Sequence, residues 1–459
     1  MKLATSFTGS RGQRFPAPDV ARGFMLLFIS LANIPFWVAT TRSSAPSDAV
    51  DTVWLWVRTL LIDARSYPLF AMLFGFGLVT MVNRRIVSGT QSYLQSLPGV
   101  EAGREPTAQE EAWAREQATV DARRLVRRRG LWMVLFGAAH AVLFSGDVIA
   151  AYGLVAVIFA GWLARKHWKR AAVLCAVVVV ACVVITFVIE SFMTSQGAAS
   201  ATDMRAGAGE SATTLLSYVS HGVTSWAVNL STTPISLVVP AMFLGARLAD
   251  TDLIAHPERH RGLLAAVGLG GLALGALGAL HDILVPLTSA QSWEIDSTLI
   301  MVLGLAGGCG WLAVLALYAG GPTADGRLTG LKWLLAAVGR RSMTAYLSQT
   351  VMFGTMFAVM PRLTGNPLEL GAAASAAVAV MVWLVTVGVC AGLERLGEPG
   401  PFEALLRTAV VSGERSRVMP AMPPNPRHSA RSLAQPVRVQ APTALADNKA
   451  AGRHMLAGV

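Results

Sequence analysis

Charge is what this 459-residue sequence has least of. Asp, Glu, Lys and Arg together make up 14 % of it, against about 25 % in ordinary soluble domains. A soluble fold of this length needs more charge to cover its surface, so a soluble enzyme is excluded as the leading class. Cysteine is equally scarce. Cys175, Cys182, Cys309 and Cys390 each lie inside a long apolar stretch, without the spacing of metal ligands or of a disulfide framework, and read as small apolar fillers. No Walker-type loop, HExxH or nucleophile elbow occurs. The glycines of Leu73-Phe74-Gly75-Phe76-Gly77 fall within an apolar run and serve packing. No permanently held cofactor is therefore expected. The first 21 residues lack the apolar core and small-residue cleavage site of a signal peptide, so the first hydrophobic segment is expected to stay as an anchor.

Apolar residues are abundant instead: 53 % of the chain, with 43 Gly besides and a mean hydropathy of +0.51. Disorder is excluded for most of the chain, and the bilayer is the partner this composition fits. Ten apolar runs of spanning length cover approximately 22–41, 64–82, 130–146, 148–164, 171–190, 230–249, 262–286, 297–320, 342–360 and 370–393. The expected fold is an all-α integral membrane protein, a polytopic bundle of about ten helices. Segment 213–229, with Tyr218, His221, Trp226 and Asn229, is too polar for a plain span and reads as interfacial or re-entrant. Segment 51–62, with Trp54, Trp56 and Arg58, is similar. The expected domains are an arm over 1–21, a transmembrane region over 22–411 that includes the polar 83–129 connection, and a disordered basic tail over 412–459.

The net charge of +11 is mainly a topology signal. With the N-terminus inside, Arg42, Arg58, Arg65, Arg205 and Arg362 are the only ones of the 38 basic residues that fall outside. Both termini are therefore expected in the cytoplasm, with the protein in the cell (inner) membrane. No nucleic-acid recognition motif accompanies the basic charge. The run Arg123 to Arg129 reads as a positive-inside stop touching anionic lipid, or as a docking patch for a polyphosphate ligand such as coenzyme A. Gly271/Gly275 and Gly304/Gly308 mark close helix packing.

Ionisable groups at membrane depth are candidate functional groups. Arg22 and Asn33 share one helix face about 16 Å apart, beside Asp19. His140, roughly 15 Å into its span, lies at a depth comparable to Asn33. It can move a proton near neutral pH, or simply pack neutral between helices. Asp147 orients His140 if the chain folds back near Gly146, caps the next helix, or does both. His281-Asp282 and His221 are weaker candidates.

Five stretches resemble the YeiB-like membrane proteins of the DUF418 family: DVARGFMLLFISLANI (Asp19–Ile34), YPLFAMLFGFGL (Tyr67–Leu78), RRRGLWMVLFGAAHAVLFSGDVIAAYGL (Arg127–Leu154), VGRRSMTAYLSQ (Val338–Gln349) and GPFEALLR (Gly400–Arg407). The resemblance implies a place in a broad transmembrane acyltransferase superfamily, with the heparan-glucosaminide acetyltransferase-like and acyltransferase-3-like proteins. The enzymes among these pass an acyl group from cytoplasmic acyl-CoA to a hydroxyl or amine of a lipid- or sugar-linked acceptor. The family signature falls on Asp19, Arg22, Gly23, Asn33, His140, Gly146, Asp147, Tyr152, Gly339, Arg340, Thr344, Tyr346, Gln349, Glu403 and Arg407. No His follows Asn33 closely, in contrast to the glucosaminide branch, so His140 is the expected base.

The leading expectation is acyl transfer. His140, Asp147 and Asn33 carry the chemistry, with Asn33 and Gln349 toward the acyl oxygen. Asp19, Arg22, Arg340, Tyr346, Gln349 and Tyr152 contact substrate, acyl-CoA being the donor and the arginines meeting its phosphates. The alternatives are a small-metabolite transporter or exporter and a membrane subunit without chemistry. A homo-oligomer is compatible with all three.

Overall fold

A computed structural model describes residues 15–39, 48–101, 103–195, 214–288, 296–322, 327–366 and 368–412. The arm before residue 15, the tail beyond Ser412, Arg42 and Arg205 lie outside the described residues, as do the side chains of His281 and Asp282. Among the described residues all regular structure is helical: α1 (Pro16–Ala39), α2 (Ala49–Leu61), α3 (Ser66–Gln95), α4 (Ala108–His140), α5 (Ile149–Arg165), α6 (Trp168–Ser195), α7 (Leu215–Thr232), α8 (Val238–Leu248), α9 (Arg261–Thr288), α10 (Asp296–Ala319), α11 (Gly330–Arg340), α12 (Ser342–Phe353), α13 (Met360–Thr364), α14 (Ala372–Arg395) and α15 (Pro401–Ser412).

Six of these stretches are long and apolar enough to cross a membrane: α1, the α2–α3 stretch, and the apolar parts of α6, α9, α10 and α14. A seventh arises if Leu216–Ile235 and Val238–Leu248, bent by 56° at their break, form one broken span. Each of the ten apolar runs falls largely on helix, yet four make no single span. The run 130–146 ends its helix at His140, α5 has 17 residues, 230–249 is broken between Ile235 and Val238, and 342–360 is divided between α12 and a π-helical turn over Gly354–Val359.

Local chemistry explains the long polar connection. Thr107 and Glu110 form a capping box, each side chain receiving the other's backbone N–H, and this starts α4 well before its apolar half. The 83–129 connection is therefore mostly a continuation of α3 and α4. The two pair through Tyr93, Ala114 and Ala118, and the Tyr93 hydroxyl donates to Asp121 at 2.6 Å.

Glycine sets the close crossings of the bundle. A Cβ on Gly23 would strike the Leu335 carbonyl of α11, and one on Gly339 would strike the Asp19 carbonyl of α1. Gly75 and Gly245 make the same reciprocal approach between α3 and α8. Gly271 and Gly275 meet Gly310 and Gly307 of α10, whereas Gly304 and Gly308 face the Ala64–Leu69 corner. Backbones this close gain dispersion and weak C–H···O contacts, the main attraction available where lipid is as apolar as protein. At that corner Arg65 is buried and donates to the carbonyls of Thr59, Asp63 and Gly275.

Candidate functional site

The apolar run around residue 140 ends its helix early, and the consequence is chemical. Beyond His140 the chain turns through 141–148 before α5 begins. The turn carries Asp147 back to the imidazole: His140 Nδ1 and Asp147 Oδ1 are 2.8 Å apart, with the side chains 2 % and 0 % exposed. The same carboxylate accepts the Ile149 amide at 3.2 Å and the Ala150 amide at 2.8 Å, capping α5. Orienting and capping thus coexist in one side chain. Gly137 makes the fold-back feasible, since a Cβ there would collide with Asp147 Oδ2 and Ala150.

The second ring nitrogen is engaged as well. His140 Nε2 lies 2.8 Å from Thr350 Oγ1 on α12. An ionised Asp147 can only accept, so the Nδ1 of a neutral ring carries the proton, Nε2 is a bare acceptor, and the Thr350 hydroxyl donates to it. Asp147, His140 and Thr350 form one hydrogen-bonded line from carboxylate to hydroxyl across α4, α5 and α12.

Around this line the site is aromatic. The Tyr346 ring, one turn before Thr350, sits 5.1 Å from the imidazole, and Phe144 sits 5.8 Å from it. Phe144 stacks on Trp37 of α1 at 5.2 Å. On the other side Tyr152 packs against Phe70 and Phe74 and donates to the Tyr67 carbonyl at 3.2 Å. Two buried polar atoms here have no partner among the described residues, the Tyr346 hydroxyl and Gln349 Oε1. Gln349 Nε2 reaches only the Leu26 carbonyl, at 3.5 Å. Asn33 is half-buried one turn before Trp37 and forms no side-chain hydrogen bond among the described residues. The far side is covered by α7: Tyr218 donates to the Leu143 carbonyl and lies under the Arg362 guanidinium. His221 of the same helix is exposed.

A second polar centre lies near the start of α1. Arg22 donates to the Leu73 carbonyl at 2.8 Å and lies 3.5 Å from Asp19, in space that a side chain at Gly77 would fill. Among the described residues Arg129 of α4 has only the Met81 sulfur, at 3.6 Å, as a hydrogen-bond acceptor, and its buried Nε has none. Arg22 and the exposed Arg407 are near enough to repel it, and Glu403 to attract it. Glu403 is otherwise occupied at the start of α12, accepting the Met343 and Thr344 amides at 2.7 and 3.1 Å and the Thr344 hydroxyl. Three arginines from α1, α4 and α15 thus converge with too little negative charge, an arrangement that suits an anion. Arg340, expected to contact substrate, is instead clamped by Glu394 at 2.6 Å, and Arg341 shares that carboxylate at 2.5 Å. Arg129 and His140 are eleven residues apart on α4, hence on one face and about 16 Å apart along its axis.

Sequence reading missed Thr350, because a threonine in an apolar helix carries no signal of its own. It also gave Arg129 only as one of a run, and its place beside Arg22 and Glu403 comes only with the fold. Among the described residues no group of His, Cys, Asp and Glu is arranged to hold a metal ion. Residues 248–412 match the family model described as protein of unknown function (DUF418). The match spans 165 of the 459 residues and is in line with the resemblance seen in the sequence. No curated protein and no solved structure matches the chain.

Proposed function

We propose that this DUF418 protein is a transmembrane acyltransferase of the cell membrane. It takes an acyl group from cytoplasmic acyl-CoA and delivers it to a hydroxyl or amine of a membrane- or sugar-linked acceptor. The observation that carries the reading is the buried line Asp147–His140–Thr350. A carboxylate that fixes the tautomer of an imidazole, whose other nitrogen faces a hydroxyl, is the arrangement of general-base acyl transfer.

The arginine centre supports the donor end. Arg22, Arg129 and Arg407 face the side where a positive-inside chain keeps its basic residues, and they lack the negative charge that CoA phosphates bring. The face of α4 that joins Arg129 to His140 gives an extended thioester arm a path from phosphates to base. Arg340 holds α11 against α14 through Glu394 and acts on the donor only indirectly. Tyr346, Gln349 and Asn33 have hydrogen-bonding capacity left for the acyl carbonyl or acceptor.

The test is binding of acetyl-CoA to the detergent-purified full chain, followed by thermal protection. Arg129→Ala is expected to weaken binding by about 10- to 100-fold, the loss of one charge-assisted contact. His140→Ala is expected to bind normally and not to release CoA. Absence of binding to acyl-CoA of any chain length overturns the reading. One observation favours transport instead, the helix pair broken at 56° between Ile235 and Val238, since broken helices line transporter sites. Solute uptake into vesicles without acyl-CoA binding would establish that alternative.

A further inference from the structure

Thr350, like Thr344 on the same helix, differs from most threonines on helices by giving its hydroxyl to a distant side chain. Thr80, Thr90, Thr119 and Thr355 each return the hydroxyl to the carbonyl four residues back, at 2.7 to 2.8 Å. That is the ordinary fate of a threonine in an apolar helix. Thr350 gives its hydroxyl to His140 Nε2 instead, across 210 residues of chain. One turn after it the helix widens into the π-turn Gly354–Val359, a distortion often found at functional sites.

We infer that Thr350 is the nucleophile of the transfer and carries the acyl group as an ester between donor and acceptor. The inference rests on the acyltransferase reading and adds a covalent intermediate to it. Its main argument is occupancy. Nε2 is the one basic nitrogen of the ring, and Thr350 Oγ1 already fills its direction. An acceptor deprotonated directly by His140 must first displace Thr350, whereas Thr350 is already in place.

In the first half-reaction His140 Nε2 removes the Thr350 proton as Oγ1 attacks the thioester carbonyl. The C–O bond forms, the tetrahedral oxyanion collapses, and the C–S bond breaks. The departing CoA sulfur takes the proton from the imidazolium. In the second half-reaction Nε2 removes a proton from the acceptor hydroxyl or amine, which attacks the threonyl ester. The ester C–O bond breaks and Thr350 Oγ1 recovers the proton. Nothing is oxidised or reduced, and Asp147 stays ionised throughout, stabilising each imidazolium. The unpartnered Tyr346 hydroxyl, one turn away, is a donor available to the oxyanion.

The experiment incubates the purified full chain with acetyl-CoA and no acceptor, measures released CoA thiol, and quenches in acid for mass analysis. Trypsin cleaves after Arg341 and Arg362, so Thr350 lies in the peptide 342–362. A burst of thiol matching the protein concentration, with one acetyl on Thr350, is the expected result. Thr350→Ser should retain the burst, and Thr350→Val and His140→Gln should lose it. Wild-type labelling stands by itself if the variants do not fold. Thiol release without protein acetylation, or acetyl on His140 or any other residue, overturns the Thr350 relay and leaves acyl transfer standing. So does acetyl-CoA binding with neither release nor labelling. Failure to bind acyl-CoA at all overturns both.

Discussion

Tyr346 and Gly137 show how differently two residues beside one imidazole bear on stability and chemistry. The Tyr346 hydroxyl is buried and gives its proton to no acceptor among the described residues, with the Val148 backbone near it, so removing it relieves desolvation and loses at most one weak contact. Tyr346→Phe should therefore melt within about 1 kcal/mol of wild type. If the hydroxyl serves the reaction, CoA release falls by about 100- to 1,000-fold in the same variant, the range for one oxyanion donor. A variant that loses stability and activity in parallel would make Tyr346 structural. Gly137→Ala works the other way, because its Cβ would push into Asp147 Oδ2 and Ala150. Overpacking of this kind costs about 1–3 kcal/mol, and here it also displaces the carboxylate that holds His140. A lowered melting temperature with weaker catalysis and normal acetyl-CoA binding is expected. At this scale the sequence showed His140 and Asp147 as titratable groups at membrane depth. A straight helix separates them by about 10 Å, and only the early end of α4 joins them. Thr350 stayed hidden because its role comes from a contact 210 residues away, and nothing in the surrounding apolar run distinguishes it.

Helices here are bounded by capping and interrupted by polar demand more than by hydropathy. Hydropathy placed the apolar runs on helices, six of which are long and apolar enough to cross a membrane, or seven with the bent pair, but it could not show that α4 continues through the polar connection. That information was present in Thr107-Ala108-Gln109-Glu110, whose spacing is a capping box. Glu110 accepts from both Arg104 and the Thr107 amide, which hold its carboxyl down at about 2. A carboxylate with a lowered folded pKa stabilises the start of α4 above its ordinary pKa near 4.5 and loses that contribution as pH falls toward 2. Hydrogen exchange across residues 107–114 of the full chain should thus be faster in Glu110→Gln than in wild type at pH 7. The difference should shrink between pH 4.5 and 2. A pH-independent difference would mean that side-chain volume, and not charge, starts the helix. The reciprocal glycines were legible only as packing marks: the sequence shows Gly23 and Gly339, and their mutual crossing exists only once α1 and α11 meet.

Across the whole molecule the two polar centres are joined by α4, and their arrangement fixes what each membrane face should meet. Asp19 touches Gly339, Glu403 caps α12, and Arg407 approaches Arg129, so the first and last described helices end on one face. The α3–α4 hairpin extends from that basic face, while α13 and the Tyr218–Arg362 pair lie beyond the His140 site. The proposed function needs the arginine face in the cytoplasm, where acyl-CoA is found and where positive-inside bias would put it. Single cysteines at exposed Ser88 and exposed Thr364 separate the faces. The four native cysteines lie within α6, α10 and α14 and are at most half-exposed, which keeps their background labelling low. In intact cells a membrane-impermeant maleimide should label Thr364→Cys and spare Ser88→Cys until the membrane is opened. Labelling of Ser88→Cys alone would invert the topology and place the arginine centre away from cytoplasmic CoA. The phosphate-docking argument would then fail, even though the Asp147–His140–Thr350 geometry would be unchanged. Labelling of both would show that α12 and the π-turn do not complete a crossing. The His140 site would then open to the same side as the arginines, and donor and acceptor would have to enter together.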